Sequence, residues 1–217
     1  MVNYFELMNV PQQYQIDIAK LQQTLRQLQS KFHPDNNLAD NNLDASVAEQ
    51  HLSLSANTDG FVRESIAKLS ALKPEQASAI INGAYNTLKN PDSRASHLLA
   101  LKGISQSINQ PIRDLDFLDD AMSFRIDLDD ADSQSITLLS KKLTEWLSNY
   151  QLAFDEVYQK IDNPDAAECE VNDEALTKQA IDIIQKLQFL VKLQADVAKT
   201  TDELAKQNFD NDDDLSV

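Results

Sequence analysis

The chain has 217 residues, 19 basic and 35 acidic side chains, a net charge of −16 and 42% apolar residues, which suits one large or two small folded domains. Only three glycines occur, Gly60, Gly83 and Gly103, which excludes the clustered-glycine loops that cradle nucleotide phosphates. A pI near 4.4 argues against nucleic acid or an anionic membrane as a partner of the bulk surface, and the single Cys169 suits a reducing compartment.

No run of 18 apolar residues occurs, and the start carries neither a secretory nor an organellar targeting pattern, so a cytoplasmic location is expected. Abundant Leu, Ala, Gln, Lys and Glu predict an almost wholly helical protein. Ile18, Leu21, Leu25, Leu28 and Phe32 repeat at spacings of 3, 4, 3 and 4 and stop before Pro34, one stripe of an amphipathic helix. From 36 to about 60 the composition shifts to Asn, Asp, Ser and Ala, a loop with a short helix near 44–52, and a further helical pattern covers 61–72. After Pro74 the stripe Ala77, Ile80, Ile81, Ala84 and Leu88 runs to Pro91, and a short helix over 93–101 closes at Gly103.

Residues 104–111 lack periodicity and end in proline, an expected linker. Three long patterns follow, about 112–128, 133–161 and 171–207. Their short connections predict an antiparallel three-helix bundle. The tail 208–217 holds four aspartates and one leucine and is expected to be disordered.

His33-Pro34-Asp35 directly follows the first strong helix. Alone, this tripeptide reads as a helix stop. In its setting it reads differently: Tyr4-Phe5-Glu6-Leu7, Leu25, Leu28, Lys31 and Phe32 stand upstream, and Ile81 to Leu88, Pro91 and Arg94 stand downstream. This combination resembles a J-domain, the module by which co-chaperones of the DnaJ class engage an Hsp70 ATPase. Arg94-Ala95 then leads into Leu98-Leu99 and a second helical domain, and with Arg113-Asp114, Phe117-Leu118 and 186–190 the whole is similar to the HscB family, the J-domain co-chaperones of iron–sulfur cluster assembly.

The resemblance implies an all-α fold: a J-domain over 1–103 with an insertion at about 36–72, a linker at 104–111, a scaffold-binding antiparallel bundle over 112–207 and the acidic tail 208–217. It implies two partners, a dedicated HscA-like Hsp70 and an IscU-like iron–sulfur scaffold protein. The Hsp70 would meet His33, Pro34 and Asp35 and the basic face of the preceding helix. Lys20, Arg26 and Lys31 make the stretch before His33 locally positive, and Lys20 and Lys31 fall on one line of that helix, away from its apolar stripe. Gln22, Gln23 and Gln27 stand where the family often has bases, and Asn36 replaces a frequent Lys, so weaker steering toward the Hsp70 is expected.

Helix angles give the second site. Phe117, Ala121, Phe124 and Leu128 form one stripe; Leu115, Leu118, Met122 and Ile126 form another about 135° away. A second apolar face is either packed within the bundle or exposed for a partner. Phe189 lies off the main stripe of the last helix. The family binds its scaffold through apolar residues at the positions of Leu118, Met122 and Phe189; Asp119 departs from the apolar residue of some members.

His33 and Asp35 have no accompanying nucleophile, so no catalytic site is expected. One cysteine and three dispersed histidines do not make a zinc site, His51 and His97 being expected in a loop and on a helix surface. Asp127, Asp129, Asp130 and Asp132 lack the glycine and terminal Glu of a calcium loop and read as a solvated helix end. No metal, cofactor, nucleic acid or membrane is expected. Two other readings remain: a J-domain co-chaperone for another client, and a structural helical adaptor without Hsp70 activity.

Overall fold

The computed structural model describes residues 2–32, 67, 69–104, 111–163 and 173–213, with the side chains of the last stretch from 174 to 206. The described residues hold seven helices and no strands, and the chain divides into two compact units, Met1–Gly103 and Ile104–Val217. His33, Pro34 and Asp35, His51, Cys169, the helix expected at 44–52 and, of the pattern at 61–72, residues 61–66 and 68 lie outside the described residues.

The first unit contains α1 (Tyr4–Leu7), α2 (Ile18–Phe32), α3 (Pro74–Lys89) and α4 (Pro91–Leu101). Asn3 caps α1 by accepting the Phe5 N–H at 3.1 Å, and the Asp17 carboxylate accepts the N–H groups of Ala19 and Lys20 at 2.8 and 3.1 Å at the start of α2. Pro74 and Pro91 open α3 and α4, where a missing N–H costs nothing because the first turn has no carbonyl to receive it. Gly103 sits just past α4 with φ +77°, a conformation that strains any residue with a Cβ. α3 packs against α1, α2 and α4. Leu21, Leu28 and Phe32 of α2 and Ala77, Ile81, Ala84 and Leu88 of α3 are buried, whereas Leu25 and Ile80 are half-buried and Ile18 is exposed. Arg94 is buried; it donates to the Leu88 carbonyl at 2.7 Å and its guanidinium lies over the Tyr14 ring at 4.9 Å. The motif arginine thereby ties α4 to the last turn of α3.

His97 corrects the expectation of a surface residue: it is buried, stacked on Tyr4 with ring centroids 4.6 Å apart and near Phe5 at 5.8 Å. Its Nε2 accepts the Tyr4 N–H at 3.1 Å, so the ring is the neutral tautomer with its proton on Nδ1. Burial pushes the His97 pKa down. A depressed imidazole contributes stability that is present above the unfolded value of about 6.5 and lost as the pH falls from there through its own lowered value. Thermal melts are therefore expected to show the wild type losing stability below about pH 6.5, while His97→Gln, which still accepts a hydrogen bond but does not titrate, melts lower at neutral pH and changes little across that window. A wild-type melt as flat as that of the variant would remove the role of this imidazole.

The second unit contains α5 (Leu115–Asp129), α6 (Ser135–Asp162) and α7 (Asp173–Asp213). Asp114 caps α5 through the Phe117 N–H at 3.1 Å. Asp132 accepts the N–H groups of Gln134 and Ser135 at 3.1 and 2.7 Å at the start of α6, and these bonds hold its pKa below the ordinary carboxylate range. α6 runs antiparallel to both neighbours. Tyr150 lies against Lys186 while Ser140 and Thr144 share a groove with Val197 and Thr201 of α7, and Phe117 meets Trp146 and Tyr150. The core takes in Ile136, Leu139, Leu143, Leu147, Phe154, Val157 and Tyr158 of α6, a line that drifts around the helix because 3.6 residues per turn does not match a strict seven-residue repeat.

The tail also departs from expectation. α7 continues to Asp213, so 208–213 are helical rather than disordered. No glycine or proline interrupts 173–213, and extending an established helix avoids the cost of a new nucleus.

Candidate functional site

Lys20, Arg26 and Lys31 are all exposed on α2, as are Gln22, Gln23 and Gln27. The buried residues Leu21, Leu28 and Phe32 hold a separate side of the helix, about 90° round from Lys20 and Lys31 and about 140° from Arg26, against the unit. The basic face of α2 is thus free of the packing that its apolar stripe supplies.

In the second unit, the two stripes of α5 have opposite fates. Phe117, Ala121, Phe124 and Leu128 are buried, whereas Leu115, Leu118, Met122 and Ile126 are 77%, 38%, 66% and 55% exposed. Exposed apolar side chains in a row along one helix are unlike the scattered ones of an ordinary surface. Phe189 is half-buried rather than free: its ring meets Phe117 edge-on at 5.7 Å and lies under the Arg125 guanidinium at 5.6 Å. Since Phe117 and Arg125 flank Ala121 on the α5 wheel at about 100° per residue, Phe189 covers the α5 flank that faces toward Leu118.

A charged node fixes the start of this helix. The Lys186 side chain is 8% exposed, and its Nζ lies 2.6 Å from Asp114 and 2.7 Å from Asp182, with the rings of Phe117 and Tyr150 at 5.7 and 5.6 Å. Burial pulls the ammonium down, but the two carboxylates outweigh it and its pKa is raised. Lys186, with the Phe117 N–H, holds Asp114 below the ordinary carboxylate range. The Asp114 contribution is present above that range and lost as the pH falls through its lowered value. Both carboxylates keep partial access to water, so Lys186→Met is expected to cost about 2 kcal/mol in urea unfolding, less than the roughly 3–5 kcal/mol of a fully buried pair. An unchanged unfolding midpoint would show that the node does not hold α5. In the sequence Lys186 opens the stretch 186–190 that contributes to the family resemblance and carries no role of its own. Its spacing of four from Asp182 was the available signal, whereas Asp114, 72 residues away, could be found only in three dimensions.

No protein-family model matches the chain. A co-chaperone protein HscB homolog from Shewanella loihica is 31% identical over 210 residues, 94% of this chain and 99% of that protein. Another from Acinetobacter baylyi is 30% identical over 219 residues, 99% and 100% of the two chains. This chain belongs to the HscB co-chaperone family. The chaperone HscB from Vibrio cholerae has a similar structure, with a TM-score of 0.60, 27% identity and coverage of 94% and 99%. The human co-chaperone protein HscB superposes with a TM-score of 0.60 at 22% identity, covering 91% and 81%, and supports the fold alone. Its J-domain and helical bundle are the fold of these HscB structures.

In this HscB-family chain the charge is divided unevenly. The first unit carries nine basic and ten acidic residues, a net of −1, and the second carries ten and 25, a net of −15. Among the described residues no group of three His, Cys, Asp or Glu side chains could hold a metal ion, and no helix is long and apolar enough to cross a membrane.

Proposed function

We propose that this chain stimulates the ATPase of a dedicated HscA-like Hsp70 and delivers an IscU-like iron–sulfur scaffold protein to it in the cytoplasm. The observation that carries the reading is the exposed apolar face of α5, with Leu118 and Met122 in a folded bundle that buries the opposite stripe, in a chain related over nearly its full length to HscB co-chaperones. His33-Pro34-Asp35 and the exposed Lys20, Arg26 and Lys31 form the Hsp70 side of the reading. Leu118, Met122 and Phe189 form the scaffold side.

The chemistry asked of the chain is association, not bond making. Holding the scaffold while the J-domain touches the Hsp70 turns a bimolecular capture into a nearly intramolecular one, with an effective concentration set by the tether. Hydrolysis on the Hsp70 then traps the client that is already at hand. Single-turnover hydrolysis by the Hsp70 is expected to rise with this chain and to rise further, beyond the sum of the separate effects, when the scaffold is added. Additive rates would separate the two halves of the reading and reject delivery.

A further inference from the structure

The chain has three methionines, Met1, Met8 and Met122. Met8 is 0% exposed in the first unit, whereas Met122 is 66% exposed on α5. Met122 stands within the exposed apolar strip: Leu118 is one turn before it, Ile126 one turn after, and Leu115 two turns back on the same side. These three neighbours are saturated hydrocarbon at their tips and have no atom that a mild oxidant attacks. The one basic residue of α5 is Arg125, which is paired with Asp196 at 3.4 Å and lies over the Phe189 ring. Among its apolar residues the strip therefore holds a single oxidisable group, the Met122 thioether, on a side chain open to water.

We propose that Met122 is a reversible oxidation site, and that conversion of its thioether to the sulfoxide by a hydroperoxide switches off docking on α5. This inference rests on the reading of the α5 face as the scaffold-docking surface and adds a regulation to it. A sulfur lone pair attacks one oxygen of hydrogen peroxide, and the S–O bond forms as the O–O bond breaks. The departing hydroxide takes the proton of the transferred hydroxyl and leaves as water, so sulfur loses two electrons and the peroxide gains them. A methionine sulfoxide reductase reverses the step, the oxygen leaving as water while a dithiol becomes a disulfide. The sulfoxide is polar and accepts hydrogen bonds. In the free chain water supplies them, and the fold is unaffected because the side chain is exposed. Docking would strip that water and set the S–O group against an apolar partner surface with no donor to replace it, which weakens the complex. Met8 has no exposed surface, so the same dose of oxidant spares the packing of the first unit.

The test uses the full chain with Cys169→Ser, which removes the competing thiol. The protein is treated with hydrogen peroxide, freed of oxidant and titrated calorimetrically with untreated IscU-like scaffold of the same source. Peptide mass spectrometry is expected to find the added oxygen on Met122 well before Met8. Scaffold affinity should fall about tenfold or more, with the thermal melt of the chain unmoved, and methionine sulfoxide reductase with a dithiol should restore it. The Met122→Leu protein in the same background should have one affinity before and after treatment, whatever its starting value. Undiminished affinity of the oxidised chain would overturn the switch, as would an equal loss in the treated Met122→Leu protein or oxidation of Met8 as readily as Met122. Failure of docking itself reads differently: if Leu118→Ala with Met122→Ala still weakens binding, the docking reading stands without the switch, and if that pair changes nothing, both fall.

Discussion

Replacing His33 by Gln is expected to return single-turnover hydrolysis by the cognate Hsp70 to its unstimulated rate while leaving this chain folded. The substitution keeps a polar side chain of similar reach, leaves Phe32 and the rest of the buried line of α2 unchanged, and retains Pro34, a residue type that disfavours a helix interior. Thermal stability should therefore stay within about 0.5 kcal/mol of wild type. A companion variant separates the tripeptide from the helix before it. Lys20→Glu, Arg26→Glu and Lys31→Glu reverse three exposed charges and should raise the concentration for half-maximal stimulation roughly tenfold or more without changing the plateau. Full stimulation by the His33→Gln protein would leave the tripeptide as a helix stop and nothing else.

The second large effect is expected on the scaffold side. Leu118→Ala with Met122→Ala should weaken binding of the IscU-like scaffold by about 2–4 kcal/mol, the range of anchors at the centre of an interface. Both side chains are exposed in the free chain, so their truncation should move its own stability by only about 0.5 kcal/mol. Phe189 is a less clean probe. It packs edge-on against Phe117 and under Arg125, and Phe189→Ala removes intramolecular contacts as well as any made to the partner. Calorimetric titration of the double variant decides the matter: an affinity equal to wild type would mean that the exposed strip of α5 is not the docking face.

Much of this could be read from residue spacing. Helix type follows from the near absence of glycine and the 3.6-residue pattern, and Pro74, Pro91 and Gly103 mark ends that the structure bears out. The two faces of α5 are likewise set by spacing: the same residues are buried or exposed as the stripes require. Spacing shows that a helix has a second apolar face, not whether a neighbour covers it. That depends on how many helices surround α5, and here α6 and α7 meet one stripe only.

His97 marks the limit most clearly. A lone imidazole among Ser96 and Leu98 carries no sign of its environment, because its burial comes from α1, 93 residues earlier in the chain, which supplies both the stacking ring of Tyr4 and the N–H that the imidazole accepts. Asp114 and Lys186 are the same case across 72 residues.

Local chemistry along the chain determined the helices, their ends, the basic face of α2, the double-faced α5 and the family resemblance, because each depends on neighbours within a few turns. Only tertiary packing decided which apolar stripe of α5 stays in water, that Phe189 leans on Phe117, and that His97 and Lys186 are enclosed. Those outcomes depend on contacts between segments far apart in the chain, whose pairing no single-helix periodicity records.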